Sequence, residues 1–188
     1  MNYPNKKTII SKKANKTNLG MTLESDLDLT NKYYLNENIA VIYKKPTPVQ
    51  VVNVSYPARN KAKITEAYYK TPSTTDYNGI YKGRYLDFDA KETNSKTAFP
   101  LRNIPKHQID HLRAITEHGG IGFLIINFKA FDAYFLITAE VLLKYWDNQH
   151  VERKSIPYKD FLEKTHQIKF AFKPRLDYLK IIDQLYFD

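Results

Sequence analysis

Cysteine is absent from the 188 residues, which removes disulfide scaffolds, thiol nucleophiles, thiolate zinc sites and iron–sulfur clusters together. Any chemistry must rest on carboxylates, imidazoles, amines, amides and hydroxyls. Long apolar runs are missing too. No stretch approaches the roughly 18 apolar residues that mark a membrane span, and the opening MNYPNKKTIISKKANKTNLG lacks the apolar centre of a signal peptide. A soluble, cytoplasmic protein without a membrane partner is expected. Acid is the scarcer charge: 20 Asp and Glu stand against 29 Lys and Arg, a formal +9. That excess points to a polyanion, nucleic acid before an anionic lipid surface.

The cations are unevenly spread. Residues 1–20 hold Lys6, Lys7, Lys12, Lys13 and Lys16, no acid, and only Ile9, Ile10 and Leu19 as large aliphatics. So little apolar surface predicts a flexible basic arm, followed by one domain over residues 21–188. Leu23, Leu27, Tyr33 and Tyr34 then recur near helical spacing, with Thr22 as N-cap and Glu24, Asp26 and Asp28 early in the helix. Ile39 to Tyr43 has the composition of a buried strand, and residues 46–57 continue extended. Residues 57–70 carry Arg59, Lys61 and Lys63 and end in Tyr68-Tyr69, which reads as a protruding connection; the insertion is bounded at about 53–70.

Glycine is scarce, so the few glycines stand out as punctuation. Asn78-Gly79 and Lys82-Gly83 predict turns in a hairpin between Thr71 and Thr93, and Gly119-Gly120 ends a helix marked by Ile109, Leu112 and Ile115. Strands are expected at 121–128 and 133–137, and helices at 139–146, 159–165 and 177–185. The alternation of helices and strands predicts an α/β fold, a mixed central sheet flanked by helices.

The strand Tyr85-Leu86-Asp87-Phe88-Asp89-Ala90-Lys91 alternates strictly, with Asp87, Asp89 and Lys91 sharing one face. Asp76 precedes it in the same hairpin. Two converging carboxylates suit a hard divalent cation, and an adjacent lysine suits phosphate charge. The same pattern also describes an Asp/Lys row on a solvated sheet face. His107 and His111 have an i, i+4 spacing that can chelate zinc, but no third ligand is evident, and a phosphate contact suits His107 better. Glu24 reads as helix-dipole chemistry before metal chemistry.

Residues 73–93, STTDYNGIYKGRYLDFDAKET, closely resemble the active-site hairpin of the bacterial RecU-type Holliday junction resolvases, in the P-D…(D/E)-x-K nuclease superfamily. Gly20-Met21-Thr22-Leu23-Glu24, Ala40 to Pro48, Lys106-His107-Gln108-Ile109 and Pro174-Arg175-Leu176-Asp177-Tyr178 match in the family's order. The resemblance implies a restriction-endonuclease-like core with a protruding stalk. It implies a Mg²⁺ site built from Thr74, Asp76, Asp89 and Gln108, with Mn²⁺ as a substitute. Asp76, Asp89 and Lys91 are the implied catalytic residues, with Lys91 as transition-state stabiliser. Stalk residues Arg59, Lys61, Lys63, Tyr68 and Tyr69 would bind DNA. A homodimer acting on four-way junctions is implied, with the strand-exchange recombinase as a further partner. Two positions depart from the pattern: Asp89 stands where Glu is usual, and Leu19 where Arg is usual.

Overall fold

The computed structural model describes residues 22–70 and 74–187; the expected basic arm lies outside them. Thr22 caps α1 (Leu23–Asn36), its hydroxyl accepting from the Ser25 N–H, and Asn38 leaves the helix at φ 54°. β1 (Val41–Lys44) leads into a two-stranded ribbon of β2 (Val49–Ala58) and β3 (Lys61–Tyr69). β4 (Tyr77–Tyr81) and β5 (Arg84–Thr93) form the hairpin, and β6 (Ala98–Pro100) precedes α2 (Lys106–Glu117). Then come β7 (Ile121–Phe128), β8 (Ala133–Thr138), α3 (Ala139–Asn148), β9 (Ser155–Pro157), α4 (Tyr158–Lys164), β10 (His166–Ile168) and α5 (Leu179–Tyr186).

The central sheet runs β1-β4-β5-β7-β8-β10. Only β5 and β7 are parallel neighbours; α2 makes their crossover. The expected mixed sheet flanked by helices is what the chain forms. Two apolar clusters fill the two faces. Leu86, Phe88, Phe123 and Ile125 pack with α1 and α5 residues, while Leu124, Ile126 and Phe128 pack with residues of α2, α3 and α4. β7 contributes to both clusters by alternation, so all eight of its residues are buried.

One of the two expected hairpin turns is a strand interior. Lys82 (φ 46°) and Gly83 (φ 76°) form the turn, with Tyr81 paired to Arg84, whereas Asn78 and Gly79 lie within β4. Gly79 is required there for another reason: a Cβ would fall 2.1 Å from the Val41 carbonyl oxygen and 2.6 Å from Ile42 Cα of the neighbouring strand. The ribbon also starts earlier than the protruding segment read from sequence, since β2 and β3 pair from Val49↔Tyr69 out to Ala58↔Lys61.

The register fixes which features share an edge. Lys44 pairs with Tyr77, Tyr77 with Phe88, Glu92 with Asn127, Asn127 with Tyr134 and Tyr134 with Ile168. Hence the ribbon's root, the segment entering β4, the C-terminal half of β5, and the chain leaving β10 all lie at one end of the sheet.

Candidate active site

Alternation in β5 turns Leu86 and Phe88 toward α1 and α5, and Asp87 and Asp89 toward α2. Both aspartates are 0% exposed. The solvated row of charges is therefore excluded: α2 covers this face, and two buried carboxylates must be compensated locally.

The two are compensated differently. Asp87 accepts from the Thr75 hydroxyl at Oδ1, and from Lys45 Nζ at 2.8 Å and the Tyr85 hydroxyl at 3.0 Å at Oδ2. His111 Nε2 lies 3.2 Å from the same oxygen. With these donors around it, Asp87 is a structural anchor rather than an open ligand. Lys45 Nζ also donates to Thr75 Oγ1 at 3.1 Å, and the Lys45 backbone N–H donates to the Asp76 carbonyl at 2.7 Å. Thr75 sits between Thr74 and Asp76, so this clamp fixes the segment that carries both.

Asp89 is less satisfied. Gln108 Nε2 donates to Oδ2, and Lys91 Nζ forms an ion pair 2.9 Å from Oδ1. Burial raises the Asp89 carboxyl above its ordinary range; Lys91 pulls it back, and the negative charge of Asp76 raises it further. Oε1 of Gln108 is buried without a hydrogen-bond partner, and Oδ1 of Asp89 has only the Lys91 ammonium. Buried acceptors normally find donors. An unpartnered amide oxygen next to a buried carboxylate fits an oxygen-seeking divalent cation.

Thr74 and Asp76 line a cavity of about 350 Å³ with Glu24, Lys44, Lys45, Thr75 and the Pro46-Thr47-Pro48 segment. Glu24 pairs with Lys44 at 2.5 Å on its rim. Asp89, Lys91 and Gln108 are not part of that lining; the Thr75 and Lys45 contacts to Asp87 tie it to the strand that carries them. Among the described residues no group of three or more His, Cys, Asp or Glu side chains could hold a metal ion. The zinc reading of His107 and His111 fails on this point. Nε2 of His107 is buried without a partner, which does not suit a phosphate contact either.

The ribbon separates residues that sequence had grouped. Arg59, Lys61 and Lys63 are at its far end, while Tyr68 and Tyr69, 62% and 83% exposed, pair with Gln50 and Val49 at its root. Lys63 and Tyr68 are five residues apart on β3, about 17 Å at the rise of a strand, and Arg59 and Lys61 lie farther out. Lys45 and Thr75 were not singled out from sequence. Their signals were the Lys44-Lys45-Pro46 match and a buried acid two positions before Asp89.

A sequence profile described as recombination protein U matches residues 18–184. The chain belongs to the recombination protein U family. Proteins named Holliday junction resolvase RecU are similar throughout: one from Oceanobacillus iheyensis is 50% identical over 196 residues, covering 100% of both chains. Another, from Geobacillus sp., is 47% identical over 98% of this chain and 97% of its own. One from Bacillus thuringiensis is 49% identical over 94% and 88%. A solved structure titled as Archaeoglobus fulgidus Hjc, a Holliday junction resolvase, aligns at TM-score 0.40 and 6% identity over 75% of this chain and 94% of that one, too slight a likeness to bear on the site. The recombination protein U match spans the described site from Glu24 to Gln108. No helix among the described residues is long and apolar enough to cross a membrane.

Proposed function

We propose that this chain, a Holliday junction resolvase, is a Mg²⁺-dependent endodeoxyribonuclease that resolves four-way junctions by paired cuts in opposed strands. The carrying observation is the buried Asp89 carboxylate, ion-paired with Lys91, next to the unpartnered amide oxygen of Gln108. The names of the similar proteins support the substrate. An all-oxygen donor set with two carboxylates suits Mg²⁺, and Mn²⁺ as its substitute, better than softer ions.

Asp76 and Asp89 would hold the cation, with the Thr74 hydroxyl and the Gln108 amide oxygen completing the protein's share. When bound, the cation supplies Lewis-acid stabilisation at the phosphate and lowers the cost of ionising a water. Lys91 presents its ammonium beside Asp89 and stabilises the charge that grows on the non-bridging phosphate oxygens during attack. The Asp87, Lys45 and Thr75 clamp keeps Asp76 and Thr74 in register with β5. Arg59, Lys61 and Lys63 neutralise phosphates near the crossover, and Tyr68 and Tyr69 stack on bases at the ribbon's root. Two symmetric nicks need two sites, so the working unit is a C₂ homodimer on a two-fold junction. Recombinational repair and chromosome segregation in the cytoplasm, in contact with the strand-exchange recombinase, complete the reading.

The test incubates a mobile four-way junction and a matched linear duplex with wild type, Asp76→Ala and Lys91→Ala, with and without Mg²⁺. Wild type should cut the junction only with cation, and each variant should lose roughly a hundredfold or more in rate. Equal cutting of the duplex would favour a duplex nuclease. Junction binding without product would favour a non-catalytic module.

A further inference from the structure

Residues 94–105 join the end of β5, which carries Asp89 and Lys91, to the start of α2, which carries Gln108. Both ends of this connection are therefore fixed in the candidate site. Its Phe99, Leu101 and Ile104 are buried in the apolar cluster of α2, α3 and α4, on the sheet face toward which Asp87 and Asp89 point. β6 pairs with β9 from Ala98↔Pro157 to Pro100↔Ser155. The Tyr158 N–H donating to the Thr97 carbonyl at 2.8 Å and the Leu101 N–H donating to the Lys154 carbonyl at 3.1 Å extend that pairing at both ends. Phe99 meets Phe161 at 6.5 Å between ring centroids, and Phe161 meets Phe128 of β7 and Phe135 of β8 at 4.9 and 5.5 Å. The β6–β9 pair is thus a fixed shelf over β7 and β8, across β5 from β1, β4 and the ribbon's root.

The shelf is cationic. From Thr93 to Ile109 the sequence has Lys96, Arg102 and Lys106 and no acid, and the β9 side adds Lys154, bonded through its backbone beside Arg102. Lys96, Arg102 and Lys154 are exposed, and among the described residues none of them forms an ion pair. Neighbouring acids are engaged elsewhere: Asp110 with Lys106 at 2.5 Å, Glu163 with Lys159 at 3.5 Å and Asp160 with Lys164 at 3.1 Å. Glu152 lines a separate cavity with Arg153, Tyr145 and Asp160. Position selects the anion. Lys96 is five residues from Lys91, and Arg102 six from Gln108, at most about 18 and 22 Å of extended chain. A duplex advances about 3.4 Å per base pair, so both cations fall within about six base pairs of a phosphate held at Lys91. A strand that crosses the site from the ribbon's side continues over this shelf.

We propose that the β6–β9 shelf is a second DNA-contacting surface, with Lys96, Arg102 and Lys154 seated on backbone phosphates of the duplex arm that leaves the cutting site away from the ribbon. The proposal rests on the junction-resolving reading above and adds an arm contact to the stalk's contact at the crossover. Lysine and arginine on phosphate read no sequence; they fix register and orientation. Their work here is to hold the scissile strand against Lys91.

The experiment uses the full chain with Ca²⁺ in place of Mg²⁺, so that binding is read without cutting, and a four-way junction of fixed branch point as probe. Replacing Lys96, Arg102 and Lys154 together by Gln should lower the slope of log K against log salt by about 2.7, at 0.9 per phosphate contact. The exchange Lys96→Arg, Arg102→Lys and Lys154→Arg should restore it. Melting temperature should not move in the Gln variant, since the three side chains are exposed and unpaired. Uncharged methylphosphonates are then scanned over about six nucleotides from the branch point. Where the shelf lies they should weaken wild type and leave the Gln variant indifferent. A slope within about 0.5 of wild type, or methylphosphonate losses equal in both proteins at every position, overturns the proposal. Loss of the dimer in the Gln variant, or normal junction binding with lost binding to the strand-exchange recombinase, also overturns it, making the shelf a protein contact. A wild type that leaves the junction uncut in Mg²⁺ sinks the resolvase reading itself, a result distinct from a cutting wild type with an unchanged slope in the Gln variant.

Discussion

Asp87 and Asp89 stand two residues apart on one face of one strand, both fully buried, and their neighbours give them different work. Asp87 is surrounded by hydroxyls and an ammonium; Asp89 has one amide donor and one ammonium. Asp87→Ala would leave Lys45 and Thr75 without their acceptor. A loss of about 3 kcal/mol is expected, the scale of breaking a buried pair from one side, measurable by urea unfolding. Weaker Mg²⁺ binding by calorimetry should accompany it, since the Asp76 segment loses its tether. Asp89 makes a separate prediction about pH. Its carboxyl is raised by burial above the unfolded value, so the folded chain holds a proton that the unfolded chain releases. Without cation, stability should therefore fall as pH rises from about 4 through the folded pKa, and stay lowered above it. Asp89→Asn should flatten that part of the profile, and other titrating groups cancel in the difference. Melting temperatures across pH in a chelating buffer check this; parallel profiles would show that Asp89 is not the group responsible.

Strand β5 was legible because alternation is a local property: the faces of Leu86 and Asp87 follow from the two-residue period alone. What covers each face was not legible. Gln108 and His111 come from a helix about twenty residues downstream, and only their packing shows that the acids are buried. The same limit explains Asn78-Gly79, whose turn chemistry is locally indistinguishable from that of a true hairpin loop. The deciding contact is β1, whose Val41 carbonyl leaves no room for a Cβ at position 79. Gly79→Ala should therefore cost roughly 3 kcal/mol, the upper range for overpacking, because backbone rather than a flexible side chain must move. Gly83→Ala meets no atom within 4 Å but stays strained by its φ of +76° and should cost about 1 kcal/mol. Chemical denaturation of the two variants separates a steric cost from a conformational one; equal losses would refute the close-approach argument. Strands of three residues, such as β6, β9 and β10, carry too short a pattern to be read from sequence.

At the scale of the molecule, the formal +9 must coexist with a site that concentrates acids where phosphate has to approach. The register resolves this by arrangement: the acids sit at the end of the sheet where the ribbon is rooted, and the ribbon's cations lie out at its far end. Attraction along the ribbon can hold a polyanion whose scissile phosphate would be repelled by Asp76 and Asp89 without a cation. Binding and cutting should then respond to different ions. Replacing Arg59, Lys61 and Lys63 together by Gln should lower the slope of log K against log salt by about 2.7, at 0.9 per phosphate contact on duplex arms. The ribbon is exposed along nearly all its length, so melting temperature should stay where it is and the cutting rate at saturating junction should change little. Affinity measured by anisotropy over a salt series reads the slope directly. An unchanged slope would mean that the ribbon's cations meet solvent in the complex, and the attraction would have to be sought elsewhere on the chain.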